Sequence, residues 1–178
     1  METPDLSLPP TCPPLGAFEN YNMDDAAFAL YTLVDLPPSS LSELTTLVNS
    51  EWITSPDVPP LVLLPDRYNF TGQPLRAVLD AHVALDKDIT PRDDNPDVEG
   101  NLHWFPSAFI VVTDVDWATR GLLFVYLDDR DDEGEGLDAE SRSLEKFFFR
   151  AQDAYPFLGS VSYGDSTLCQ AKEEHAIE

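Results

Sequence analysis

The apolar residues of this chain fall into short runs that are separated by prolines and acidic residues. The first run, residues 26–34 (AAFALYTLV), is continuous and predicts a buried strand that ends before a pair of prolines. Leucine and valine then recur at helical spacing over residues 40–49. Because Ser40 and Glu43 have the spacing of a capping box, they predict the start of a first helix.

Two further apolar segments predict a second strand and a second helix. Residues 61–64 (LVLL) lie between prolines and read as a short buried strand. Pro74 suits the first turn of a helix, and apolar positions with helical spacing extend that helix to about residue 86. His82 falls on the apolar face of this helix. We therefore expect a partly buried ring with satisfied hydrogen bonds rather than a catalytic histidine.

The strongest sheet signal comes from residues 108–113 (AFIVVT) and 122–127 (LLFVYL), which are rich in β-branched and aromatic residues. Their continuous hydrophobicity predicts central strands that are covered on both faces. The linker between them is too short for a crossover helix, since a parallel connection needs a dozen residues or more. The pair is therefore predicted to form an antiparallel hairpin.

The last third of the chain predicts one more helix and one more strand. The helix is expected over residues 137–153, and the strand over residues 157–163. The apolar stripe that indicates the helix consists of Leu137, Leu144, Phe147, Phe148 and Ala151.

These elements together predict an α+β fold in a single domain, residues 25–168. A mixed sheet of about four to five strands would carry about three helices. Residues 1–24 form a proline-rich arm, which is either a disordered tail or is pinned to the body by Phe18 and Tyr21. Residues 169–178 form a polar tail that we expect to be frayed.

The net charge of the chain argues against some classes of binding partner. The chain has 178 residues, with 33 acidic against 10 basic side chains and a formal net charge of −23. No Lys or Arg precedes Arg67. This balance argues against nucleic acids and anionic membranes as partners, because both are bound through basic side chains. It favours a basic protein surface or a metal ion, or it serves solubility alone.

The start of the chain shows no basic segment followed by a long apolar one, and no apolar run reaches membrane-spanning length. Cys12 and Cys169 are too few for a disulfide framework. We therefore expect a cytoplasmic protein.

An acidic segment after the hairpin resembles the calcium loop of EF-hand proteins, with acidic residues at loop positions one, three and five, glycine at six and glutamate at twelve. Glu133 at position five is longer than the usual Asp or Asn, and Gly136 replaces an apolar residue. The resemblance implies calcium as a candidate cofactor, and the alternative is a solvated acidic loop. Its candidate ligands are Asp129, Asp131, Glu133, Glu135 and Glu140.

Candidate acid–base residues lie at the ends of the best strand. Asp114 and Asp116 follow it and His103 precedes it, and such positions suit proton transfer or cation binding. A turn that uses aspartate for local hydrogen bonds also explains Asp114 and Asp116, and it is the interpretation that we favour. Trp117 is expected to be a packing residue.

Two functions from different classes remain. The first is a non-catalytic binding module that engages a basic protein surface. The alternative is a small-molecule enzyme, such as a hydrolase, isomerase or cyclase. It would use His103 with carboxylates in a pocket near Asp114, Asp116 and Asp128. The chain has no nucleophile-elbow, phosphate-loop or dinucleotide-binding motif.

Overall fold

The computed structural model describes residues 3–11, 13–15, 18, 20–128, 142–164 and 167–177. The strands are β1 (Ala27–Thr32), β2 (Val62–Leu63), β3 (Thr90–Pro91), β4 (Gly100–Asn101), β5 (Trp104–Val112), β6 (Leu122–Asp128) and β7 (Ser143–Phe149). The helices are α1 (Pro38–Asn49), α2 (Leu75–Ala84), α3 (Trp117–Arg120), α4 (Ala154–Ser162) and α5 (Leu168–His175), and a 3-10 turn covers Ala151–Asp153.

Five strands of the described chain form one mixed sheet in the order β2-β1-β5-β6-β7. Strands β2 and β5 run parallel to β1, whereas β6 is antiparallel to both β5 and β7. Strands β3 and β4 form a separate two-stranded ribbon. The α+β class and the antiparallel hairpin expected from the sequence are therefore confirmed. We call the end of the sheet at which β1, β2 and β5 begin the amino end.

Both faces of the sheet are covered, which explains why its strands are hydrophobic at almost every position. Alternate side chains along β1 point to opposite faces: Phe28 and Leu30 to the first, Ala29 and Tyr31 to the second. Buried residues of α1, α4 and α5 pack on the first face. Helix α2 packs on the second. Within the described residues, no helix has both the length and the apolar character needed to cross a membrane.

The described part of the proline-rich arm contacts the body of the protein. Leu6 and Leu8 pack on the second face of the sheet beside α2. The Lys146 ammonium of β7 donates a hydrogen bond to the Leu6 carbonyl. Further along, Phe18 and Tyr21 meet edge to face at 5.6 Å and pack against the first-face core. Of the two sequence-based alternatives, the structure matches the arm that is pinned to the body.

The predicted helix over residues 137–153 is wrong in its described part, where the chain forms β7 and the 3-10 turn. Leu144 and Phe148 face the second side of the sheet, and Phe147 and Phe149 face the first. A strand that is apolar on both sides places its large residues close together in sequence. Such a spacing is also typical of the apolar face of a helix, and the sequence therefore predicts a helix here.

The predicted strand over residues 157–163 is also wrong, because this segment belongs to α4. Ala154, Phe157 and Leu158 are buried at positions i, i+3 and i+4, which is the helical signal. Most of the tail expected to be frayed forms α5. Thr167 and Gln170 make a capping box at its start.

Candidate functional site

A cavity of about 640 Å³ opens at the amino end of the sheet. It lies between the segment that precedes β1 and the loop that carries β3 and β4. Its lining is polar and consists of Asn22, Asp24, Asp25, Pro91, Arg92, Asp93, Asp94 and Asn101.

Hydrogen bonds around Asn22 hold the two walls of this cavity together. The Asn22 amide nitrogen donates to Oδ1 of Asn101 at 2.9 Å, and its backbone N–H donates to the Gly100 carbonyl at 2.8 Å. The Asn22 carbonyl accepts from Leu102 N–H. A Cβ atom on Gly100 would lie 2.8 Å from the Thr90 carbonyl oxygen, so only glycine lets the ribbon close here.

The cavity carries a surplus of negative charge. Arg92 donates two hydrogen bonds to the Asp94 carboxylate, from Nε to Oδ1 at 2.7 Å and from Nη2 to Oδ2 at 3.2 Å. This hydrogen bonding raises the pKa of Arg92 and lowers the pKa of Asp94. Asp24, Asp25 and Asp93 are exposed and form no ion pair with a cation of the described residues. After Arg92 is neutralised, three carboxylates therefore face the cavity.

Acidic side chains extend beyond the cavity over the amino end. The buried Lys87 supplies one positive charge among them: its ammonium donates to the carbonyls of His82 (2.7 Å) and Leu85 (2.9 Å) at the end of α2 and interacts electrostatically with Asp86. Burial lowers the pKa of Lys87 to about 8. The additional exposed carboxylates on the segment that connects α2 to β4 are Asp86, Asp88, Asp97 and Glu99.

The structure does not bring the sequence-predicted acid–base residues together. His103 is exposed and precedes β5 at the amino end, whereas Asp114 and Asp116 follow β5 at the opposite end. The nine residues of β5 span about 26 Å at ~3.3 Å per residue. Asp128 ends β6, next to the start of β7, and therefore lies at the amino end with His103. The acid–base roles of these residues stay predictions.

Asp114 has the turn geometry that the sequence offered as its alternative. Its Oδ1 accepts a hydrogen bond from Asp116 N–H at 2.9 Å, and Arg120 lies 3.9 Å from its other oxygen. Trp117 is buried, and its indole N–H donates to Ser40 Oγ at 3.1 Å. The expectation that Trp117 packs is therefore confirmed.

His82 is fully buried and hydrogen-bonded at both ring nitrogens. Nε2 lies 3.1 Å from the carbonyl oxygens of Phe105 and Pro106. Since carbonyls only accept, Nε2 carries the proton, and Nδ1 accepts from the Tyr31 hydroxyl at 3.0 Å. Burial lowers the pKa of His82 to about 3, so the ring is neutral. This confirms the satisfied ring that the sequence predicts, although it is buried completely.

The five candidate calcium ligands, Asp129 to Glu140, lie outside the described residues, and calcium binding stays a prediction. Within the described ranges, no group of three or more His, Cys, Asp or Glu side chains is arranged to hold a metal ion.

A second cavity, of about 570 Å³, lies along the exposed edge of β2 beside α1. Asn49 of α1 closes part of this edge. Its Oδ1 accepts from the N–H groups of Leu61 and Val62, and its Nδ2 donates to the Val62 carbonyl at 2.9 Å. Asn49 is buried, and these bonds fix the loop between α1 and β2.

Sequence reasoning missed the residues that line the acidic cavity. The sequence predicts no helix or strand for residues 88–99, and it places Asp24 and Asp25 only at the border between the arm and the domain. The local signal was the concentration of Asn and Asp in both segments, which is typical of turns. Comparison with protein-family models, with curated protein sequences and with solved structures found no match.

Proposed function

We propose that the protein is a non-catalytic binding module whose acidic amino end engages a basic surface of a protein partner. The observation that carries this proposal is the open cavity at which the exposed Asp24, Asp25 and Asp93 form no ion pair within the described chain, since Arg92 in the same lining is paired with Asp94. These carboxylates can pair with cations of a partner at little cost in free energy, because no internal ion pair must first be broken. A net charge of −23 also accelerates encounter with a basic surface.

The arrangement of His103, Asp114 and Asp116 gives the alternative enzyme no support. His103 lies at one end of β5, and Asp114 and Asp116 lie at the other. General acid–base catalysis requires such groups to reach the same substrate atoms, within hydrogen-bond distance or through one water. The binding module is therefore the function that the geometry favours.

Neutralising the cavity tests this proposal. The triple variant Asp24→Asn, Asp25→Asn, Asp93→Asn should weaken binding of a fluorescently labelled, eight-residue Arg/Gly/Ser peptide about tenfold. Three exposed charge pairs contribute about 0.5 kcal/mol each. Fluorescence anisotropy at low salt gives the dissociation constant, and raising NaCl to about 0.3 M should weaken the wild-type complex further.

The matched control removes the same charge elsewhere. Asp35, Asp66 and Asp80 are exposed and do not line the cavity, so their triple replacement by Asn should change the affinity less than about twofold. Equal losses of affinity in both triple variants would show that binding depends on the overall charge rather than on the cavity. An affinity that changes neither with the NaCl concentration nor in the cavity triple variant would refute the proposed function.

A further inference from the structure

Three aromatic side chains, Trp52, Tyr155 and Tyr163, form a cluster on the protein surface that we call the aromatic patch. The Trp52 ring lies 6.3 Å from the Tyr155 ring and 5.5 Å from the Tyr163 ring, centroid to centroid. Tyr155 is 42% exposed, and Tyr163 is 69% exposed. Tyr163 is the most exposed large apolar side chain in the described part of the chain. Exposed apolar clusters of this kind mark interaction sites.

The aromatic patch is held in place before any partner arrives. The Trp52 indole N–H donates to the Pro59 carbonyl at 2.8 Å, and the ring lies against Gly159 of α4. Tyr163 caps the end of α4, where its backbone N–H donates to the Gly159 carbonyl at 3.0 Å. A platform that is fixed in advance loses little side-chain entropy on binding.

Trp52 of the aromatic patch lies toward the amino end of the sheet, where the acidic cavity also opens. Trp52 lies in the loop that leads from α1 into β2, and β2 begins at the amino end because it runs parallel to β1. This loop also carries the exposed carboxylates of Glu51 and Asp57, and residues 50–60 contain no Lys or Arg. Trp52 therefore lies in a loop whose charged side chains are all acidic.

The rings of the aromatic patch hold no cation of the described chain. The cation–π contact found among the described residues is Arg67 over Phe70, at 4.7 Å, which does not involve the patch. A partner's cation can therefore occupy the open faces of Tyr155 and Tyr163 without displacing an internal contact.

We propose that the aromatic patch receives an arginine side chain of the basic partner, an inference that rests on the proposed function. A planar guanidinium stacks on tyrosine and tryptophan rings and is more weakly hydrated than an ammonium, so arginine fits better than lysine. Tryptophan, tyrosine and arginine are also the residues that most often dominate binding energy at protein interfaces. A second copy of this chain is a poor occupant, because two molecules of charge −23 repel each other.

The test compares two peptides of equal length and charge, one with arginine and one with lysine as its only cation. Tyr163→Ala should weaken binding of the arginine peptide about fivefold and of the lysine peptide less than about twofold. Tyr155→Ala should act in the same direction. Because Tyr163 is largely exposed, Tyr163→Ala should keep the wild-type unfolding temperature. Val115→Ala removes an exposed apolar side chain far from the patch and is the matched control, expected to bind as the wild type does.

The outcomes separate this inference from the proposed function. If the cavity triple variant weakens both peptides but the tyrosine variants weaken neither, the patch is not the arginine site and the binding module stands. If wild-type protein binds neither peptide, both proposals fail. If sedimentation shows a dimer that Tyr163→Ala abolishes, the occupant is a second copy and the arginine inference is overturned.

Discussion

His82 determines how stability responds to mild acid. Its ring is buried between the Tyr31 hydroxyl and two backbone carbonyls, and Nε2 already carries the only proton that this environment accepts. A second proton would place a charge in the core opposite a hydroxyl that must then give up its donor role. Histidine at this position is therefore a structural residue, and its neutrality is a condition of the native state.

We expect the free energy of unfolding to fall as pH drops below 6.5. Unfolded His82 takes up a proton near pKa 6.5, whereas the folded ring does so only near pKa 3. Its contribution is complete above pH 6.5 and is lost progressively down to about pH 3. One pH unit below 6.5 the loss is about 1.4 kcal/mol.

Urea unfolding of the wild type and of His82→Gln at about pH 7.5 and about pH 5.5 measures this term. The glutamine variant is less stable at both pH values but has no ring to titrate, so its deficit relative to the wild type should shrink by about 1.4 kcal/mol at the lower pH. If the difference in unfolding free energy between the two proteins is the same at both pH values, protonation of His82 does not cause the loss of stability in mild acid.

At the scale of elements, the sequence predicts those parts whose signals are local. The existence of helix α1 and that of the β5–β6 hairpin follow from spacing and residue type within a few positions. The capping box expected at Ser40 and Glu43 is wrong, because α1 begins at Pro38 and has no side-chain cap. Strand β7 was misread because burial on both faces hides the alternation of a strand. The acidic cavity could not be predicted from the sequence for another reason. Its walls meet through Asn22 and Asn101, 79 residues apart, and no local pattern reports such a pairing.

The proline-rich arm acts as a structural element, and its leucines should contribute to stability. Replacing Leu6 and Leu8 by serine removes partly buried apolar surface from the second face beside α2. We expect a loss of about 2 kcal/mol in the free energy of unfolding, measured by urea denaturation. Ser7→Ala changes an exposed residue between them and should have little effect. A double variant as stable as the wild type would show that the arm contributes nothing to folding.

For the whole molecule, the dominant property is a net charge of −23, much of it gathered at the amino end. Compaction brings these carboxylates together, so the folded state bears more repulsion than the extended chain. We expect NaCl to raise the unfolding temperature by a few degrees between about 10 mM and about 0.3 M, through screening.

Differential scanning calorimetry over this salt series measures the rise. The cavity triple variant carries three fewer charges and should show a smaller dependence than the wild type. A temperature that falls with added NaCl would mean that attractive ion pairs outweigh the repulsion.

Asn49 has a consequence for how any partner can attach. Its side-chain amide takes the place that a peptide group of a sixth strand would occupy, with both the N–H and the carbonyl of Val62 already engaged. An extended segment of another chain therefore finds no backbone group of Val62 with which to lengthen the sheet. Edge-to-edge aggregation is blocked at this position, and recognition beside it must depend on side chains.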